Sequence, residues 1–161
     1  CKQRLWLAAE DWGKAVLHRR VEEVGTSSFG VFVRLGRGGG RLVFRTPSEA
    51  RGTILPSHTK RSVESLLQKM GIEVEEQDFT VQDLINWHRN GRLLDAMGVG
   101  TAASVGGISS IFIDGEELRI QDGGRGERTL ELYKQLTDIQ YGRVPDPHGW
   151  NRPATIDIEK E

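Results

Sequence analysis

The sequence lacks the features that would place the chain in a specialised class of protein. Its single cysteine, Cys1, excludes an intramolecular disulfide framework and a cysteine metal cluster. No apolar run approaches the roughly 20 residues that a helix needs to cross a bilayer. The net charge of −1 provides no electrostatic attraction toward nucleic acid or an anionic membrane. What remains is 161 residues, 37% hydrophobic and 28% charged, which is enough for one globular domain with a core.

Several common catalytic signatures are also missing. The four histidines show no metal-ligand spacing, and no G-x-S-x-G motif supports an esterase triad. The glycine-rich stretch GRGGG (36–40) has neither the G-x-G-x-x-G spacing nor a Walker lysine. It lies between FGVFVRL (29–35) and RLVF (41–44), whose β-branched and aromatic residues are typical of strands. We therefore interpret it as the tip of a β-hairpin.

The remaining patterns predict a domain that mixes strands and helices. RLWLA (4–8), IEVEEQ (72–77) and SSIFID (109–114) are expected to be strands. Ser57 is expected to cap a helix that ends near Gly71, and the Thr80–Asp83 pair resembles a capping box. The segment 126–142 predicts a last amphipathic helix. The face expected to be apolar carries Leu130, Tyr133, Leu136 and Thr137. The predicted class is α/β (α+β), with a mixed sheet flanked by helices.

Two segments have the chemistry to bind an anion. Ser57-His58-Thr59 opens a helix, whose first amides have no partner within the helix and carry the positive end of its dipole. In GVGTAA (98–103), Gly98 and Gly100 allow positive φ and close approach of a ligand, and Thr101 adds a hydroxyl. Each is also a common surface feature, a capped helix or a turn after a strand. They indicate a site only if they converge in the fold.

The glutamate in VEEVGT offers a third candidate. Glu22 and Glu23 are compatible with an ordinary pair of solvated carboxylates. One buried glutamate next to a glycine and a threonine could instead hold a protonated ring nitrogen. The residues alone leave both interpretations open.

These segments, in this order, resemble part of the branched-chain amino-acid aminotransferases, enzymes of fold type IV that use pyridoxal 5'-phosphate. The resemblance covers residues 5–150, which implies one cofactor-binding domain over 1–150 and a polar tail over 151–161. It places this chain in the C-terminal part of the family's sequence. The pieces that carry it are LWLAAED, VEEVGTSSFGVFV, TPSEARGTILPSHTKRSV, MGIEVEEQDFTVQDL, GRLLDAMGVGTAASV and LTDIQYGRVPDPHGW.

The resemblance implies a role for each matching residue. Glu23 would pair with the pyridine nitrogen, Thr26 would lie close to the cofactor, and Leu55 would pack on the ring. The backbone amides of His58 and Thr59, together with Thr101, would hold the phosphate. The amide of Ala102 would help to hold the substrate carboxylate.

The same resemblance implies that catalytic parts lie outside this chain. The family's Schiff-base lysine and phosphate-binding arginine precede the matched region, and none of the six lysines matches that lysine. We therefore expect a fragment that is inactive alone. The alternative is a naturally truncated relative with a pyridoxal-phosphate-independent activity or a non-catalytic partner role, which the departures at Ser28, Ser57, His58 and Lys60 favour. A third hypothesis is an α/β domain that binds phosphorylated metabolites without catalysis. It requires only the two anion-binding segments, and it leaves the LTDIQYG motif unexplained.

The implied partners follow from the family. The substrates would be leucine, isoleucine or valine with 2-oxoglutarate, and the assembly a homodimer, with no nucleic acid and no membrane as partners. Cytoplasmic and mitochondrial locations both stay open.

Overall fold

A computed structural model describes residues 3–7, 19–36, 40–101, 104–113, 115–121 and 126–152 of the chain. These ranges contain eight strands: β1 (Gln3–Leu7), β2 (Glu23–Val24), β3 (Ser27–Leu35), β4 (Arg41–Thr46), β5 (Glu73–Glu76), β6 (Leu93–Gly100), β7 (Ser104–Ile113) and β8 (Glu116–Arg119). They also contain three α-helices: α1 (His58–Lys69), α2 (Val81–Arg89) and α3 (Glu127–Gln140), with a 3-10 helix at Glu49–Arg51. Among these helices, none has the length and apolar character needed to span a membrane.

The strands form one mixed sheet in the order β1-β7-β6-β3-β4-β5, with β2 beside β3 and β8 beside β7. The β1–β7 and β4–β5 pairs are parallel, and the other pairs are antiparallel. The expected α+β class with a mixed sheet and flanking helices is confirmed. The predicted hairpin is β3–β4, which pairs from Val31↔Arg45 to Leu35↔Arg41. Residues 37–39 of its tip, and the predicted tail from residue 153 onward, lie outside the described residues.

Two apolar layers cover the two faces of the sheet, because strand side chains alternate between faces. One layer packs α2 against the sheet and includes Phe29 and Val31 of β3. The other packs α1 and α3 against the opposite face and includes Phe32. The hydrophobic core therefore lies on both sides of β3, the strand that pairs with β2, β4 and β6.

Polar caps define the helix starts as the sequence predicts. The Ser57 side chain accepts the Lys60 N–H at 3.2 Å, which begins α1. The Thr80 and Asp83 side chains each accept the other's backbone N–H, so the predicted capping box begins α2. Both helix starts could be located from the sequence because a cap needs only residues within one turn.

The helix α3 is present, but its predicted apolar face is partly wrong. Leu130 and Tyr133 are exposed. The stripe that packs on the sheet is Leu132, Leu136 and Ile139, spaced four and three residues apart. Two overlapping stripes of helical period exist in this segment, and only the position of the sheet decides between them.

The buried carboxylate of Asp95 fixes the start of α3. Gly126, the cap residue of α3, provides no side-chain hydrogen bond. Instead, Asp95 Oδ2 accepts the Thr129 N–H at 3.1 Å and the Thr129 hydroxyl at 2.8 Å. Asp95 Oδ1 accepts the Ala96 N–H at 2.8 Å. Burial raises the pKa of this carboxyl despite the three hydrogen bonds. A residue of β6 thus replaces the local cap and joins α3 to the sheet.

Candidate functional site

Four strand termini meet at one end of the sheet, which we call the upper end. They are the start of β3 at Ser27, the end of β4 at Thr46, the end of β6 at Gly100 and the start of β7 at Ser104. The antiparallel pairing brings them together, because Ser28 lies opposite Val99 and Gly100 lies opposite Ser104. The Thr46 hydroxyl donates to the carbonyl of Phe29 at 2.8 Å, which ties β4 to the same end.

The predicted residues Glu23 and Thr26 lie at the upper end, in the short hairpin of β2 and β3. Glu23 pairs with Ser28, and Gly25 makes the turn with a φ of +61°. Such a value favours glycine. Glu23 is half-buried and Thr26 is exposed. Ser28 also pairs with Val99 of β6, so Glu23, Ser28 and Val99 lie side by side on neighbouring strands. Val99 is two residues before Thr101 in the chain.

The GVGTAA segment differs from the loop expected from its glycines. Gly98 and Gly100 belong to β6, and neither has a positive φ, so that part of the prediction is wrong. The reason for Gly100 is close packing: a Cβ there would lie 2.7 Å from the Ser27 hydroxyl oxygen. Thr101 follows directly, exposed at the upper end, and Ala102 lies outside the described residues. Strand pairing therefore explains Gly100, and Thr101 is the accessible polar group.

The start of α1 follows the 3-10 helix and residues 52–57, and it lies near the end of β4 because the Lys60 ammonium donates to the Pro47 carbonyl at 3.2 Å. The Ser57 carbonyl accepts the Arg61 N–H at 3.2 Å, and its hydroxyl accepts the Lys60 N–H. The amides of His58 and Thr59, which precede these, have no acceptor within the helix. Leu55 is 78% exposed, His58 is exposed and Thr59 is half-buried. Both anion-binding segments thus lie at the same end of the sheet: the Lys60 contacts with Pro47 and Glu76 hold the start of α1 beside the ends of β4 and β5, and Thr101 follows the end of β6.

A buried lysine beneath this helix start is the feature that sequence reasoning missed. Lys60 is only 2% exposed. Its ammonium donates to Glu76 Oε1 at 2.7 Å and to the Pro47 carbonyl at 3.2 Å. It also lies 3.4 Å from Glu49 Oε1 and 3.8 Å from Glu64 Oε1. The one local signal was the i,i+4 spacing of Lys60 and Glu64, which is equally common on exposed helix faces.

The crowding of carboxylates around Lys60 changes the acidity of one of them. Burial raises the pKa of Glu64 to about 7, with the negative charges of Glu76 and Glu49 acting in the same direction. The Lys60 ammonium opposes this shift. Glu64 Oε1 is buried and accepts no hydrogen bond. This carboxyl therefore changes its charge close to neutral pH.

The donor set at the upper end is suited to an anion. The amides of His58 and Thr59 have no acceptor within the helix, and Thr101 presents an exposed hydroxyl after β6. Oxygen ligands for a metal are not grouped in this way: within the described ranges, no three His, Cys, Asp or Glu side chains are placed to hold a metal ion. Free amides at a helix start are groups that can bind a phosphate, and a carboxylate such as that of Glu23 can bind a cationic group.

Comparison with known proteins identifies relatives of the chain. No family model matches it. The branched-chain-amino-acid aminotransferase 2 of Bacillus subtilis (strain 168) is 34% identical over 139 residues, covering 86% of this chain and 36% of that protein. The branched-chain-amino-acid aminotransferase of Mycobacterium tuberculosis (strain ATCC 25618 / H37Rv) is 36% identical over 151 residues, covering 93% of this chain and 38% of that protein.

A solved structure supports the same relationship at the level of the fold. A T.th. branched-chain amino acid aminotransferase, complexed with N-(5'-phosphopyridoxyl)-L-glutamate, has a TM-score of 0.63 and 26% identity. The match covers 81% of this chain and 38% of that one. The chain thus spans somewhat more than a third of the length of these relatives. By sequence and by fold, it is similar to that portion of these branched-chain amino-acid aminotransferases.

Proposed function

We propose that this chain is the cofactor-binding part of a pyridoxal-phosphate-dependent aminotransferase that transfers the amino group of leucine, isoleucine or valine to 2-oxoglutarate. The observation that carries the proposal is that the Glu23–Thr26 hairpin, the Leu55–Thr59 helix start and Thr101 all lie at the upper end of the sheet. The relatives named as enzymes of this class support it.

The chemistry of these residues fits the cofactor. A phosphate dianion needs several donors and no adjacent unpaired carboxylate. The start of α1 supplies two amides, and the carboxylate that contacts this helix cap, Glu49, has Lys60 3.4 Å away. Leu55 presents an exposed apolar surface next to these amides, as contact with an aromatic ring requires. The half-buried Glu23 is acidic, as a partner of a ring N–H must be.

Each residue then has a physical task. The amides of His58 and Thr59 and the hydroxyl of Thr101 bind the phosphate, and Leu55 orients the ring with Thr26 nearby. Glu23 holds the proton on the ring nitrogen. When bound, pyridoxal phosphate supplies an electron-withdrawing ring that stabilises negative charge at the substrate's α-carbon. The substrate carboxylate is assigned to the amide of Ala102.

The proposal also concerns what the chain does by itself. None of its lysines matches the family's cofactor-linked lysine, and Lys60 is already held by Glu76 and Pro47. A lysine needed to move a proton at the α-carbon is therefore lacking from the matched positions. We expect residues 1–161 alone not to transaminate leucine with 2-oxoglutarate, and we propose a homodimer for the active assembly.

Binding of pyridoxine 5'-phosphate to the chain tests the proposal. This ligand keeps the ring and the phosphate but has no aldehyde, so it cannot react with surface lysines. Calorimetry would give its Kd alongside that of sulfate. Thr101→Val should weaken both ligands, because it removes a phosphate donor. Glu23→Gln should weaken only pyridoxine 5'-phosphate, by roughly tenfold for the loss of a charge-assisted hydrogen bond.

Glu22→Gln is the matched control, because Glu22 is the exposed neighbour of Glu23. It should leave both affinities unchanged. If Glu23→Gln also leaves both unchanged while sulfate binds, the chain is a plain anion-binding module. If neither ligand binds at the upper end of the sheet, the proposed function is wrong.

A further inference from the structure

The Lys60 cluster, defined as Lys60 with Glu49, Glu64 and Glu76, lies directly below the proposed phosphate site. Lys60 is the third residue of α1, so its position sets the position of the first turn. Its ammonium is held by the Pro47 carbonyl at 3.2 Å, just after β4, and by Glu76 at 2.7 Å, at the end of β5. One buried cation thus fixes the helix start against two strand ends.

Glu49 connects this cluster to the phosphate site. Its Oε1 accepts the Ser57 N–H at 3.3 Å and lies 3.4 Å from the Lys60 ammonium. A carboxylate in this position occupies the same positive end of the helix dipole that would attract a phosphate. Arg61 approaches Glu49 Oε2 only at 3.8 Å and is itself exposed, so water weakens its effect. Lys60 is therefore the main neutralising charge for Glu49.

Glu64 competes for the same ammonium from one turn further along α1. Its Oε1 lies 3.8 Å from Lys60 Nζ and is buried without a hydrogen bond. The charged groups around it are Lys60 on its own helix, Glu49 on the 3-10 helix and Glu76 on β5. When Glu64 is neutral, Lys60 and Arg61 balance Glu49 and Glu76. When Glu64 is ionised, one negative charge is left over beneath the helix start.

We propose that Lys60 is a positioning residue for the anion site at the start of α1, and that the protonation of Glu64 sets how strongly this site binds an anion. The inference rests on the proposed function, which provides the anion. Because the extra charge of ionised Glu64 repels a dianion, affinity should fall as the pH rises through neutrality. Solvent and salt screen this repulsion, and we expect the extra charge to change affinity by roughly tenfold. The raised pKa of Glu64 puts this change between pH 6 and 8.

Sulfate is the probe, since it stays a dianion from pH 6 to 8 while phosphate changes its own charge. The readout is the NMR shift of the His58 and Thr59 backbone amides in residues 1–161, titrated with sulfate at several pH values. The wild-type affinity should fall roughly tenfold between pH 6 and 8. Glu64→Gln should abolish most of that fall, because glutamine has no charge to lose.

The Lys60 variants separate positioning from folding. Lys60→Arg keeps the cation and should keep both the affinity and its pH profile. Lys60→Met should weaken sulfate binding at every pH, and an amide spectrum that otherwise matches the wild type shows that it still folds. If Lys60→Met does not fold, two measurements still decide the proposal: the pH dependence of sulfate affinity in Glu64→Gln, and the sulfate affinity that Lys60→Arg retains.

A control removes the imidazole that lies closest to the probed amides, because His58 is exposed at the helix start. His58→Asn keeps the backbone amide, and its pH profile should retain most of the wild-type fall. If His58→Asn removes the fall, or Glu64→Gln keeps it, the inference is overturned while the proposed function stands. If sulfate does not move these amides while pyridoxine 5'-phosphate does, the inference alone is overturned; if neither ligand moves them, both are overturned.

Discussion

Replacing Glu64 by glutamine should remove a pH-dependent loss of stability. The pKa of Glu64 is raised from 4.5 to about 7 in the folded chain, first by burial and then by the charges of Glu76 and Glu49. The folded state therefore holds this proton more tightly than the unfolded state does. The free energy of unfolding should fall as the pH rises from about 4.5 to about 7, and this contribution should stay constant above that range.

The magnitude follows from the shift. One pKa unit corresponds to 1.36 kcal/mol, so 2.5 units between 4.5 and 7 set an upper value of about 3 kcal/mol. Part of the side chain reaches solvent, which screens the interaction, so we expect about 2 kcal/mol. Glu64→Gln should match the wild type near pH 4.5 and exceed its stability by about 2 kcal/mol at pH 8.

Urea unfolding followed by circular dichroism at intervals from pH 4.5 to 8 measures this difference. Comparing variant with wild type at each pH cancels the titration of the other carboxylates. Glu131→Gln, at an exposed position of α3, controls for the loss of one surface charge. A stability difference between Glu64→Gln and the wild type that does not change with pH would refute the reasoning.

Other perturbations test how the helices are held. Asp95→Asn should cost about 2–3 kcal/mol in urea unfolding, because one oxygen that accepts hydrogen bonds from Thr129 or Ala96 is lost from a buried site. Gly126→Ala should lower the Tm more than Asp95→Asn does, since the added Cβ would lie 1.7 Å from Asp95 Oδ2. Gly142→Ala is the control: its Cβ would meet no atom within 4 Å, and the φ of +65° alone should cost only about 1–2 kcal/mol. Equal losses of stability in the Gly126 and Gly142 variants would contradict the predicted clash with Asp95. Thr80→Ala should cost about 1 kcal/mol by removing the α2 cap, which an unchanged urea midpoint would disprove.

Features encoded by neighbouring residues could be predicted from the sequence. The caps at Ser57 and Thr80 need partners only three residues away, and the β3–β4 hairpin needs two strands around a glycine-rich tip. The order of the motifs was sufficient to point to the branched-chain amino-acid aminotransferases that the chain resembles. The site residues could be named because they match family motifs, and their assigned roles stay predictions.

Features that depend on distant neighbours could not be predicted. The buried face of α3 is set by where the sheet lies, so the apolar face predicted from the sequence includes Leu130, which is exposed. Gly100 gave the pattern of a ligand loop, yet it is a strand residue next to Ser27, which is far away in the sequence. The Lys60–Glu64 spacing is also common on exposed helix faces, and the burial of Lys60 could not be predicted because two of its glutamate partners come from other elements of the fold.

Mapping pyridoxine 5'-phosphate onto the chain by amide NMR tests the central claim most directly. If the upper end of the sheet holds the cofactor, the largest shifts should fall on His58, Thr59 and Thr101, with smaller ones near Glu23. Thr101→Val should reduce them without moving the α2 amides. Saturable shifts confined to any other surface, or none in the millimolar range, would contradict a cofactor site at this end of the sheet.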